Sequence, residues 1–263
     1  MYKKYLIIAS KQDRAGVNIT TQLSQFGTFD FYLRDEDIIS DVNLNHEKIN
    51  QYDFIIFASR HKSEKKDKTL SIHAPGNWRN ADYGGQQGKV CKTSAMFQKQ
   101  AFEILNKNAV EHHLRDYKVT LECTHHGPLI EKPCIFIEIG ATETEWRDTK
   151  AAFVIAKTIH ETIQEFKENP YNEVAFGIGG PHYCPIFNKV QLNSNLAISH
   201  VIPQYMLPLT EEMVQEAIDK TDEEVDFILV DWKGMGNAEQ RDQAMEILKK
   251  FPQQVKRTSE ISK

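Results

Sequence analysis

Short apolar strand signals alternating with helical ones limit most strongly how this 263-residue chain can fold. Residues 3–10 (KKYLIIAS) and 53–58 (DFIIFA) are continuous apolar runs, and residues 28–33 read as another strand. Between them lies a helical stretch, 14–26, preceded by Ser10, Lys11, Gln12 and Asp13 and carrying Val17, Ile19, Leu23 and Phe26 as a loose inward stripe. Strand, helix and strand joined by short connections is how an α/β sheet opens. Further strands are expected at 69–73, 117–123, 133–139, 173–178, 196–202 and 226–230. Helices are expected at 94–114, 144–167, from Thr210, and at 237–251, with a frayed tail after Pro252. The expectation is one α/β unit over residues 1–263, a mixed sheet with flanking helices. No linker divides it, although two intertwined subdomains also fit its length.

Composition narrows the function classes. The 40% hydrophobic fraction is ordinary for a globular protein, and no apolar run reaches bilayer length. The opening MYKKYLIIAS lacks the apolar region and cleavage site of a signal peptide, so a cytoplasmic protein without a membrane partner is expected. Cys91, Cys123, Cys134 and Cys184 form no CxxC pair and read as reduced, buried thiols. A net charge of −5 announces no broad nucleic-acid surface, but it leaves room for a local basic patch.

The strand ends carry the chemistry. In open α/β sheets ligands sit beyond the carboxyl ends of the strands. Here those ends bear His61, His73, His125 with His126, His182 and Asp231, while His200 and Glu138 stand near two others. Five strands that end in or run on into histidine make one converging cluster a better reading than five unrelated surface residues. The densest stretch is 117–128, YKVTLECTHHGP, where Val119, Leu121 and Cys123 alternate with polar residues until Gly127 and Pro128 turn the chain away. Two successive histidines at a strand end point in different directions, one toward a cleft and one supporting it. Glu138 interrupts an apolar strand, so it must be paired, ligated or near a sheet edge. Histidine with carboxylate suits Zn²⁺, which makes hydroxide available near neutral pH. Neither HExxH nor a cysteine-rich zinc spacing is present. Arg60, Lys62, Lys65, Lys66 and Lys68 form the most basic short stretch, which on charge alone reads as a solvated loop.

Several short motifs, taken in order, add a family resemblance. They are the opening IASKQDRAGVNI, SRH at 59–61, IHAPGN at 72–77, THHGP at 124–128, IEIG at 137–140, GGPHY at 179–183, HVIPQY at 200–205 and DWKG at 231–234. Together they resemble the archaeal and plant type of D-aminoacyl-tRNA deacylase over nearly the whole chain. The resemblance implies a zinc-associated hydrolase that cleaves the ester between a D-amino acid and the 3′ end of tRNA. It also implies a fold like that of peptidyl-tRNA hydrolase and related zinc peptidases, the phosphorylase/hydrolase-like type. Cys123, where a small residue is expected, and the lysine-rich segment after His61 depart from the pattern.

On this reading His73, His125 and His182 are metal ligands, with His61 and His126 as ligand or supporting partner. Glu138 is the favoured base or carboxylate ligand, and Asp231 and Lys233 are lesser candidates, since Asp231 also suits a cap on the final turn. Trp78, Tyr83, Tyr183 and Trp232 would stack on the terminal adenosine. Arg60, Lys62, Lys65, Lys66 and Lys68 would meet phosphates of the acceptor end. The partner is then aminoacyl-tRNA, with no obligate protein partner evident. Two rivals are a metallopeptidase or amidohydrolase acting on a small peptide-like substrate, and a non-catalytic tRNA-end binding protein.

Overall fold

The computed structural model describes residues 2–166, 171 and 173–261. In chain order the elements are β1 (Tyr5–Ser10), α1 (Arg14–Leu23), β2 (Asp30–Arg34), α2 (His46–Ile49), β3 (Phe54–Lys62), β4 (Thr69–His73), α3 (Ala95–Glu111), β5 (Lys118–Leu121), β6 (Cys134–Ala141), α4 (Glu143–Trp146), α5 (Thr149–Glu165), β7 (Glu173–Ile178), α6 (Pro185–Asn193), β8 (Leu196–Ile202), α7 (Glu211–Asp219), β9 (Phe227–Val230), α8 (Ala238–Leu248) and β10 (Gln254–Arg257). Helices begin where a side chain satisfies the first free amides: Asp13 for α1, Ser94 for α3, Asp148 for α5 and Asn237 for α8. The single helix expected over 144–167 is two. Glu145 reaches back to the Thr142 amide at 3.0 Å to cap the start of α4, which ends at Trp146, and Asp148 then starts α5 afresh. The expected stop at Asn169 and Pro170 lies outside the described residues.

Among the described residues, ten strands form two sheets. The larger runs β2-β1-β3-β6-β4-β5, with the β4–β5 pair antiparallel to the others. The smaller runs β10-β9-β7-β8 and is parallel throughout. Its edge strand β10 is built from the tail expected to fray, because Gln254 to Arg257 find an open strand edge in Phe227 to Val230. Helix α3 packs against β4 and β5 on one side and β7 and β8 on the other. Ile56 and Ile137 of the first sheet, Phe97 and Leu105 of α3, and Ala175, Ile198 and Phe227 of the second therefore share one core. Phe97 packs against Phe54 with centroids 4.1 Å apart and the rings tilted by 34°, and truncating such a buried ring to alanine costs about 3–5 kcal/mol.

Strand β6 has two faces with different tasks. Ile135, Ile137 and Ile139 enter the shared core, whereas Phe136, Glu138 and Gly140 face the other way. Ile135 and Ile137 are apolar as a core face requires; the opposite row, with a carboxylate and a bare glycine, is where the chemistry collects.

His200 serves the fold. It lies inside β8, fully buried, and its ring edge meets Trp78. Its Nε2–H donates to the Lys220 carbonyl at 3.2 Å, so its Nδ1 accepts the Thr124 hydroxyl at 3.1 Å. Burial lowers its pKa from 6.5 to about 4. The unfolded chain thus binds a proton in that window that the native fold refuses, and stability falls as pH drops from 6.5 toward 4. In His200→Gln, urea titrations across this window are expected to show an acid slope shallower by up to about 1.4 kcal/mol per pH unit. An unchanged slope would mean that His200 is not held neutral by burial.

Candidate active site

Register assembles the site. In β3, Ser59 pairs with Glu138 and His61 with Gly140; in β4, Ser71 pairs with Glu138 and His73 with Phe136. Paired residues share a face, so His61, Glu138 and His73 lie together. The strand expected to stop at residue 58 continues to Lys62, placing Arg60, His61 and Lys62 within β3 rather than in the following loop. Gly140 likewise lies inside β6. A Cβ there would come within 3.0 Å of His61 Cβ and 2.9 Å of its Cδ2, so only glycine lets that ring lie across the strand.

Strand β5 is the edge of its sheet and ends at Leu121, after which the chain crosses between the sheets. Cys123 N–H donates to the His182 carbonyl at 2.8 Å, and Thr124 N–H to the Val201 carbonyl at 3.0 Å. His182, carried past β7 by Gly179 and Gly180, is thereby brought to the face holding Glu138. The cluster sits on the face of the larger sheet, not beyond one row of carboxyl ends, because β3 and β4 run in opposite directions. His125 and His126 also do not point apart. His126 adopts φ 44, a left-handed conformation uncommon outside glycine, and the turn brings the two rings to 4.3 Å between centroids.

Three imidazoles are fixed in one tautomer. His73, His125 and His126 place Nδ1 against the carbonyls of Ala74, Cys123 and Gly127 at 3.2, 2.8 and 2.7 Å. A carbonyl only accepts, so each Nδ1 carries the hydrogen, and in the neutral ring each Nε2 presents a lone pair. One donor atom from each of the three lies within 4.8 Å of the others. His73 Nε2 and Glu138 Oε1 are buried without a hydrogen-bond partner. Such orphaned atoms cost about 1–3 kcal/mol apiece unless something binds them. Neutral imidazole nitrogen with carboxylate oxygen is a donor set that fits Zn²⁺.

Glu122 is the hub. Its Oε2 stands 3.1 Å from His182 Nε2 and 3.5 Å from His125 Nε2, and its Oε1 stands 3.1 Å from His61 Nδ1. Glu138 Oε2 stands 3.5 Å from His73 Nε2 and 3.7 Å from His61 Nδ1. Burial opposes ionisation of both carboxyls, yet the histidines overcome it. They hold Glu122 well below the usual carboxylate range and Glu138 at about 2. Burial likewise pulls His61 and His182 down, but Glu122 and Glu138 carry His61 up to about 11, and Cys123 with Glu122 carries His182 to about 10. His125 and His126 go the other way, because burial and the neighbouring imidazoles favour the neutral ring: well below normal for His125, about 4 for His126.

The remaining sequence candidates divide. Tyr183 hydroxyl lies 2.9 Å from His61 Nε2, and Lys118 Nζ sits 5.0 Å from the Tyr183 ring centroid. Tyr83 is exposed on the loop whose carbonyl receives the Gly127 N–H. Trp78 is buried, with its indole N–H on the Val201 carbonyl, so its faces are taken by packing. Trp232 is covered by the Arg257 guanidinium at 3.9 Å. Asp231 accepts the Gly234 amide as a cap, and Lys233 is exposed beside it; among the described residues neither has a polar contact with the histidine cluster. Arg60 pairs with Asp37 and Lys68 with Asp116, whereas Lys62, Lys65 and Lys66 are exposed. Sequence reasoning missed Glu122. Its signal is a glutamate at the outward phase of a strand, just ahead of two consecutive histidines.

Residues 48–256 match the sequence profile of D-aminoacyl-tRNA deacylases. This chain belongs to the D-aminoacyl-tRNA deacylase family. It is 35% identical over 252 residues to the D-aminoacyl-tRNA deacylase of Thermococcus onnurineus and 37% identical over 263 residues to that of Pyrococcus furiosus, each match covering 87% of this chain and 91% of the relative. The Methanocaldococcus jannaschii D-aminoacyl-tRNA deacylase is 32% identical over 246 residues, covering 90% of this chain and 93% of its own. A crystal structure of a conserved protein of unknown function superposes with a TM-score of 0.89 at 28% identity, covering 98% of this chain and 96% of that one. The deacylase profile spans every member of the histidine–carboxylate cluster.

If Glu122 belongs to a metal site of this deacylase-family chain, Glu122→Gln should weaken Zn²⁺ binding by at least about 10–100-fold, the loss usual for partners outside the coordination sphere. Asp231→Asn should leave it unchanged. Calorimetric titration of both variants checks this, and the opposite ranking would remove the cluster from metal binding.

Proposed function

We propose that this chain is a zinc-dependent hydrolase that cleaves the ester between a D-amino acid and the 3′ end of tRNA. The observation that carries the reading is the convergence of three imidazoles, each pinned through Nδ1, beside two buried ionised carboxylates in a chain of this family. His73, His125 and His126 would hold the cation with Glu122 and Glu138, while His61 and His182 bracket Glu122. When bound, the cation supplies Lewis acidity toward the ester carbonyl and makes hydroxide available near neutral pH.

The chain's own residues do the rest. Side-chain exposure grades from His182 at 31% and His125 at 20% to Glu138 at 1% and His73 at 0%, so the ester approaches over His125 and His182 with the carboxylates as floor. Glu138 Oε1, ionised and without a hydrogen-bond partner, receives the proton of the attacking water. The departing ribose oxygen is a better leaving group than an amine and asks for little protonation. Exposed Lys62, Lys65 and Lys66, leaving the strand that carries His61, and Lys118 beside Tyr183 are placed to meet acceptor-end phosphates. Tyr183 and Tyr83 are the aromatics available for base stacking.

Kinship with peptidyl-tRNA hydrolases and zinc peptidases belongs to the same proposal, supported by the mixed sheet with its reversed β4–β5 pair. No described helix is long and apolar enough to cross a membrane. Work in the cytoplasm is part of the same proposal, supported by a substrate drawn from translation.

Purified protein is expected to hydrolyse D-tyrosyl-tRNA, to spare the L-form, and to stop when a chelator is added. His125→Ala is expected to fold and bind tRNA but to lose zinc and most cleavage. Full zinc occupancy with near-normal cleavage in that variant would contradict the assignment. Cleavage of peptide amides without tRNA would favour the amidohydrolase, and tRNA binding with neither zinc nor hydrolysis would favour a binding protein.

Neutralising Lys62, Lys65 and Lys66 should flatten the salt dependence of tRNA binding by roughly 0.7–0.9 log–log unit for each phosphate no longer neutralised. Hydrolysis of a minimal aminoacyl-adenosine should change little. An unchanged salt slope would make the segment merely solvated.

A further inference from the structure

We propose that Cys123 is a thiolate ligand in this cluster, so that a thiophilic divalent cation is held through sulfur together with the imidazoles of His125 and His182. This rests on the zinc reading above, with which it shares His125, and extends the donor set toward the exposed side of the cluster. Cys123 is fully buried, yet its sulfur does not face apolar groups alone. Sγ stands 3.4 Å from His182 Nδ1 and 3.0 Å from the Tyr205 hydroxyl. One donor atom each from Cys123, His125 and His182 lies within 4.8 Å of the others. Sulfur and nitrogen donors on a tetrahedral zinc, bonded at about 2.3 and 2.0–2.1 Å, stand roughly 3.5 Å apart. The sulfur-to-His182 spacing is already of that size.

The main chain of Cys123 fixes the sulfur relative to both rings. Its N–H donates to the His182 carbonyl at 2.8 Å, and its carbonyl accepts His125 Nδ1–H at 2.8 Å. His182 joins the two halves of the site, turning Nδ1 to the sulfur and Nε2 to Glu122 Oε2 at 3.1 Å. An independent sign of a missing partner stands beside His125: His73 Nε2, on a ring 4.3 Å from that of His125, is buried without a hydrogen-bond partner. The other thiols lack this setting. Cys91 is satisfied by the Pro128 carbonyl and the Ile130 amide, and Cys184 faces the His182 carbonyl rather than its ring. Loading forms a sulfur–metal bond and releases the thiol proton to solvent, with no change of oxidation state.

Cobalt(II) substitution of the full chain reads the ligand directly. The wild-type protein should take up Co²⁺ with visible d–d bands and a near-ultraviolet sulfur-to-cobalt charge-transfer band. Cys123→Ala, a smaller side chain that the pocket accommodates, should keep the d–d bands, lose the charge-transfer band, and bind Co²⁺ at least about 10–100-fold more weakly. Cys184→Ala should retain the band. Wild-type d–d bands without charge transfer, or a band that survives Cys123→Ala, would overturn the thiolate and leave the imidazole–carboxylate site standing. No Co²⁺ uptake by the wild-type protein would overturn the metal reading itself.

Discussion

Two carboxylates held ionised in a nearly solvent-free site constrain everything else in this protein. Glu122 and Glu138 are 2% and 1% exposed, and removing such an ion from water costs several kcal/mol even after relaxation. His61, His73 and His182 offset that cost through close approaches on three sides. Removing any one of them strips a partner from a buried charge, and the surrounding backbone holds each ring in place. The glycine under His61, the left-handed His126 and the Nδ1–carbonyl bonds all hold rings in place around these two groups. A well-packed apolar face would be at least as stable, so the cluster is retained against the interest of stability, as a site for chemistry would be.

The same constraint ties the sheets together. Glu138, His61 and His73 come from the larger sheet, His182 from the end of β7 in the smaller, and segment 122–126 hydrogen-bonds to both. The shared core around α3 packs the two sheets together at this junction. A site that exists only where two sheets meet is sensitive to their relative placement, so core substitutions in α3 act on the chemistry without touching it.

Much of this was legible in the residues. Apolar runs at β1, β3, β6 and β9 fixed the sheet class, and the histidines at 61, 73, 125, 126 and 182 were recognisable as a set because each follows or ends a strand signal. Glu138 stood out because a carboxylate in an apolar strand needs a partner. Glu122 did not, because a glutamate at the polar phase of an alternating strand looks solvated until a second sheet covers it. The convergence of His125 and His126 depends on one backbone angle that no periodicity encodes. Helix α6 and strand β10 were missed for a related reason: a weak apolar pattern in the first and an open neighbouring edge in the second are tertiary facts. Trp78 and Trp232 carried the aromatic signal of a base platform, but their faces are occupied by the core and by an arginine.

The central claim is that this imidazole–carboxylate cluster is a metal centre, and anomalous diffraction at the zinc edge from zinc-reconstituted crystals tests it most directly. The account predicts a peak at roughly 2.0–2.2 Å from Nε2 of His73, His125 and His126 and within reach of Glu122 or Glu138. No peak among these residues, in protein that still cleaves D-aminoacyl-tRNA after exhaustive chelation, would contradict it.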